Sequence, residues 1–281
     1  MNGLQETTYR HGRLLLEETD SNMVQANSRL MSDGLKTQRI ARSDLEFLPV
    51  PEATDTFQPI SHKALVDALE ETLNLRSFRI VGSDFAASQD GMKLFGLLEI
   101  NATTEGVRFA IGLRNSNDKS MRLGLVAGYK VNVCDNMMFE GDFKPLLAKH
   151  TKNLDLIESV SVGVDRIHRG FEPLSRSIKT KRLTRITNDE ARVLIYQAFM
   201  EERFPISLIK AVHRNYFSPA HEEFLYHSLW SLENAFTESF KELAPVRQYE
   251  MTAKLGRFIS PLITADVQLP AGNVINGGGN Q

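Results

Sequence analysis

Apolar residues recur at three- and four-residue steps at both ends of the central part of this chain, and run or alternate in the stretch between. Leu65, Leu69 and Leu73, with Val66 and Ala68, form one helical stripe, and the Ser61 hydroxyl before them is placed to cap free amides of the first turn. This predicts a helix from Ser61 to about Asn74. Strand-like runs follow at Ser77–Val81, Met92–Ile100, Val107–Leu113 and Met121–Val133. Gly91, Glu105-Gly106 and the polar loop Asn115–Ser120 separate them, and connections this short favour antiparallel hairpins over crossover units. Glycines 96, 112, 124 and 128 lie inside the strands, as bulges, bends or points of close backbone approach require.

After Pro145 the helical period returns with Leu154, Ile157, Val160, Val164 and Ile167. Thr187 and Glu190 have capping-box spacing before an amphipathic helix over Val193–Phe204, and Ser207–Val212 reads as a short helical turn. Ser218-Pro219 has the form of a helix start, for a helix running to about Leu243. Its stripe of Phe224, Leu225, Leu229, Leu232 and Phe236 predicts burial of the adjoining Trp230. Strands first and helices after, without regular alternation, make an α+β fold. It has an antiparallel sheet from the 77–135 region packed by helices from 61–75 and 145–243. Residues 1–44 are polar and weakly periodic and read as a flexible N-terminal tail. Residues 45–268 read as a single domain, and 269–281, ending Gly-Gly-Gly-Asn-Gln, as a disordered tail.

Composition narrows the function. With 42% hydrophobic residues among 281, the chain has material for a real core. A net charge of -2 gives no overall field toward nucleic acid or acidic membranes. Cys134 is the single cysteine, which rules out an intramolecular disulfide and argues against a thiolate zinc site. The seven histidines are scattered, and His221 and His227, six apart, fall on different faces of the expected helix. No metal site is expected. With no Gly-rich phosphate loop, dinucleotide fingerprint, zinc-protease or nucleophile-elbow motif, no cofactor and no catalytic residue are assigned. The N-terminus lacks a secretory apolar region, and no stretch approaches the roughly 20 apolar residues of a membrane span. The expectation is a cytoplasmic protein without a membrane partner.

Two groups of side chains carry candidate chemistry. The loop Gly112–Ser120 and the strand end Val131–Phe139 supply a polar-cleft set: Arg114, Asn115, Ser116, Asp118, Lys119, Asp135, Asn136 and His150. His150 is the candidate base, and Arg114 or Lys119 the candidate anion holder. The set requires the strand after the loop to bend back, for which Gly124 and Gly128 offer a mechanism. Turn-making by Asn, Asp and Ser explains the same residues without a ligand. The second group is the basic run Arg176, Lys179, Lys181, Arg182 and Arg185, placed to meet the phosphates of single-stranded nucleic acid. Base-stacking aromatics are missing from the run itself, so a solvated connector accounts for it too.

Six strings in order carry a family likeness: Phe57–His62 (FQPISH), Phe95–Glu99 (FGLLE), Gly112–Ser120 (GLRNSNDKS), Val133–Asn136 (VCDN), His150-Thr151 and Asn234–Glu238 (NAFTE). Together they resemble the domain of unknown function 932 family of phage- and plasmid-like proteins, over roughly residues 45 to 243. The chain departs from the family pattern at Asn117, where His is common, which removes a proton-transfer residue from the loop. The resemblance implies a cytoplasmic protein of mobile genetic elements, and hence a non-enzymatic accessory factor that binds or anneals nucleic-acid strands. It assigns no catalytic residue. The alternative is a small-molecule-binding protein or enzyme using the polar-cleft set.

Overall fold

The computed structural model describes residues 15–16, 37–139, 146–201, 203–243 and 245–264. They form the α+β architecture that the sequence predicts. One antiparallel sheet has the order β2(Thr37–Ile40), β3(Ile80–Ser88), β4(Lys93–Thr104), β5(Val107–Ser116), β6(Leu123–Val131), β7(Met137–Phe139). A two-residue strand, β1(Leu15–Leu16), joins β4 beyond the start of β3, and β8(Leu146–Ala148) pairs with the start of β6 while β7 pairs with its end.

Period-two alternation gives the sheet two different faces. Phe85, Leu94, Leu98, Phe109, Ile111, Leu123, Leu125 and Tyr129 are buried beneath the helices. Three neighbouring helices contribute to this cover: α1(His62–Leu75), α2(Leu156–Leu183) and α5(Leu229–Phe240), α2 packing against the other two. The ring of Phe171 on α2 stacks on Phe109 of β5 with centroids 4.3 Å apart, and Gly163 lets α2 approach Leu125 and Leu146. The capping expected at Ser61 and the capping box of Thr187 and Glu190 are both present, the latter opening α3(Asn188–Met200).

Several boundaries differ from the expected ones. Residues 37–44 are not tail: β2 pairs with β3, and the short helix Arg42–Phe47 buries Leu45. Sheet hydrogen bonds need only backbone groups, so an edge strand demands little of its sequence. The remaining proposed tail residues, 1–14, 17–36 and 269–281, lie outside the described residues. Helix α2 continues past Ile167 through Pro173 to Leu183 and takes in the basic run from Arg176 to Arg182, with Arg185 beyond its end. Ser218-Pro219 ends a helix instead of starting one. The helix α4(Ile209–Phe217) has Ser218 as its C-cap, and α5 begins only after Ser228, whose side chain caps it. A last helix, α6(Pro245–Thr264), packs on α5 and β7. Among the described residues no helix is long and apolar enough to cross a membrane.

Candidate functional site

The strand pairings separate the polar-cleft residues. Arg114 is level with Gly124, and Val107 with Val131, so β6 runs straight back along β5. Seven residues at about 3.3 Å each put the 114–120 loop roughly 23 Å from the 131–136 turn. Gly124 and Gly128 do not bend the strand back, and the expected cleft joining Asp118 to Asn136 does not form.

At the loop end the structure joins Asn115 and His150 and adds His62, which the sequence reading did not assign to the site. The His62 ring nitrogen Nε2 lies 3.0 Å from the Gly91 carbonyl and must donate to it. The Nδ1 of the neutral ring is then bare, and accepts from Asn115 Nδ2 at 2.9 Å. The second Nδ2 proton goes to the Ile60 carbonyl at 2.8 Å, and Oδ1 of Asn115 accepts from His150 Nε2 at 2.7 Å. All three side chains are buried. Asn117 fixes the same segment, accepting from the Ile60 amide at 3.2 Å.

Ser116, Asp118 and Lys119 make the turn itself. The Asp118 carboxylate accepts from the hydroxyls of Ser116 and Ser120 and the Ser120 amide, and pairs with Lys93 at 3.1 Å. Partial burial alone would raise its pKa, but these donors hold it well below the usual carboxylate range. Lys119 takes the left-handed backbone conformation, φ 66°, and lies over the Phe57 ring. The loop is a hydrogen-bonded turn, and the two buried histidines beside it are engaged by Asn115.

Burial lowers the pKa of both His62 and His150, the neighbouring ring adding to the effect at His62. A protonated His62 would also turn a second donor toward the Asn115 amide. With folded-state values below the unfolded value of about 6.5, the unfolded chain binds more protons as pH falls. Stability should therefore be full above about pH 7.5 and fall progressively below pH 6.5. Urea midpoints at pH 7.5 and 5.5 measure this, with His150→Gln reducing the drop. A midpoint that does not change between those pH values would refute it.

At the opposite end Asn136 serves as a strut. Its Nδ2 donates to Asn234 Oδ1 at 3.1 Å and to the Asn234 carbonyl, tying the β6–β7 turn to α5. Asp135 pairs with Lys130, which also holds Glu99 at 3.0 Å. Burial pushes the Cys134 thiol up to about 11, which favours its protonated form.

The basic run does not form one surface. Lys181 points into the core and is 2% exposed. Its Nζ meets Glu233 Oε1 at 2.6 Å and the Tyr129 hydroxyl at 2.8 Å, and that hydroxyl donates to Glu233 Oε2 at 2.6 Å. Arg182 covers the Trp230 ring at 4.4 Å and pairs with Glu223, while Arg185 lies over Tyr226. Arg176 pairs with Glu172 one helical turn away. Helical periodicity spreads consecutive cations around the axis, which a linear count of charge does not register.

Among the described residues, one feature with room for a ligand is the sheet face turned away from α1 and α2. A groove of about 710 Å³ runs over β4, β5 and β6 to α5 and α6. Cross-strand register orders its floor. Phe95, Arg114, Gly124 and Leu147 form the first row; Leu97, Gly112 and Val126 the second; Glu99 and Gly128 the third; Lys130 lies beyond them. A side chain at Gly112 would collide with Val126 and Phe139, and one at Gly128 with the Met138 carbonyl and Phe139. These two glycines are what let the Phe139 ring lie against the sheet. Glu99, Lys130, Asp135, Lys241 and Glu250 are ion-paired around the groove, as is Arg39 with Asp84.

Fold and site define an α+β protein with one sheet face sealed by helices and the other carrying an open, mainly apolar groove. Comparisons with family models, with curated proteins and with solved structures return no match. Among the described residues there is no group of three or more His, Cys, Asp or Glu side chains placed to hold a metal.

Proposed function

We propose that this protein is a non-catalytic binding protein that takes a small, largely apolar molecule onto the outer face of its sheet. The observation that carries this reading is the groove of about 710 Å³, a volume typical of small-molecule sites. Phe95, Leu97, Val126, Phe139 and Leu147 give it apolar lining, and most of its charged residues are in ion pairs. Neither buried histidine lines it, and the one thiol that does is held protonated, so binding fits it better than covalent chemistry.

Family membership in the domain of unknown function 932 group stays a proposal beside this one. Supporting it, strings behind the resemblance meet in space in two groups, one at each end of the sheet. Residues 57–62, 112–120 and His150 share the Asn115 network, and Val133–Asn136 contacts Asn234.

The neutral fluorophore N-phenyl-1-naphthylamine tests the groove. Its emission should rise and shift to the blue with the wild-type protein, saturating at one equivalent. Leu97→Trp, which fills the middle row from a partly exposed position, should abolish the signal while leaving cooperative unfolding intact. Absent binding, or binding indifferent to Leu97→Trp, would overturn the proposal.

A further inference from the structure

We infer that the groove selects monoanions, an apolar body carrying one carboxylate, with Arg114 as the residue that reads the charge. This rests on the groove being a binding site and adds the class of ligand. The argument is one of charge matching. Around the groove Arg39 is matched by Asp84, Lys130 by Glu99 and Asp135, Lys241 by Glu238, and Glu250 by Arg247. Arg114 is the exception: among the described residues it has no ion pair and no side-chain hydrogen bond.

Its position makes that a recognition feature. Arg114 lies between Phe95 and Gly124 in the first row, and a Cβ at Gly124 would stand 3.2 Å from its Nε, so a larger residue there would press on the Arg114 side chain. Leu147, paired with Gly124 on the next strand, and Met121 line the same end. A guanidinium on an apolar floor loses part of its hydration and gains no carboxylate in return. Its planar fork matches a carboxylate with two parallel hydrogen bonds. A single negative charge completes the balance of the groove's own lining residues.

The register also sets the dimension. The row of Glu99 stands four residues from that of Arg114, about 13 Å along the strands. The body of the ligand crosses the second row, Leu97, Gly112 and Val126, and a second anionic group reaching the far end would meet Glu99.

Displacement of bound N-phenyl-1-naphthylamine by decanoate and by 1-decanol tests this, since the two share a chain and differ in charge. In the wild type, decanoate should displace the fluorophore at a concentration at least tenfold below that of decanol at pH 7.5. Arg114→Met should bring the ratio of midpoints to about one, and Arg114→Lys, which keeps the charge but not the fork, should leave an intermediate ratio. Equal midpoints in the wild type would overturn the inference whether or not either variant folds. So would a wild-type ratio that Arg114→Met leaves unchanged. Failure of the fluorophore itself to bind is a different result, and defeats the groove as a binding site.

Discussion

Lys181→Ala should lower the free energy of unfolding by about 3–5 kcal/mol, the usual cost of removing one partner of a buried ion pair. The lysine sits with Glu233 and the Tyr129 hydroxyl in a closed triangle of hydrogen bonds of 2.6 to 2.8 Å. Both charged side chains are 2% exposed. Alanine leaves Glu233 in the core with one neutral donor and no cation, and it opens a cavity between α2, α5 and the sheet. The effect comes from the orphaned charge more than from the loss of attraction, because desolvation offsets much of a buried pair's Coulomb energy. The double variant Lys181→Met, Glu233→Leu removes both charges at similar volume and should recover most of the loss. Urea unfolding of the three proteins decides it. A cost below about 1 kcal/mol for Lys181→Ala would mean that water reaches Glu233 and that the pair is not sealed.

Trp230→Ala should cost a similar amount, about 3–5 kcal/mol. The indole is 1% exposed, stacked at 6.0 Å against Tyr129, and roofed by the Arg182 guanidinium. Its Nε1 donates to Glu223 at 3.3 Å, and Glu223 also pairs with Arg182. Removing the ring takes away packing and the cation's platform together. Since Lys181 lies beside the same ring, the two substitutions should not add; the shortfall in the double variant measures their coupling. As the chain has one tryptophan, its emission reports this site directly. A solvent-like maximum in the native protein, or a loss under about 1 kcal/mol, would contradict the buried position.

How much of this was legible beforehand differs from group to group. Asn115 and His150 were singled out as polar residues of one candidate site, and they do bond to each other. The fact that hid from sequence was His62, which looks like an ordinary first residue of α1 and becomes a partner only when that helix docks beside the loop. Arg114 and Asp135, which the sequence places in one polar cleft, line one long groove and do not come together. The basic run was visible as charge, whereas the inward turn of Lys181 was not. Nothing adjacent in sequence marks Tyr129 or Glu233, 52 residues away on either side, as its partners.

The sequence by itself determined what depends on local physics. The hairpins follow from short polar connections between apolar runs, the starts of α1 and α3 from side chains that cap free amides, and the α+β class from the change of hydrophobic period along the chain. Tertiary structure alone decided what depends on which surfaces meet. Edge strand β2 exists because β3 offers unpaired backbone groups, and helix α2 runs on to Leu183 because Phe171, Leu174 and Ile178 find the core beneath them. Among the described residues the groove lies on the sheet face that α1 and α2 leave open, bordered by α5 and α6. Period-two alternation shows which residues share a face, but not which face stays open, since that is settled by contacts between residues far apart in the chain.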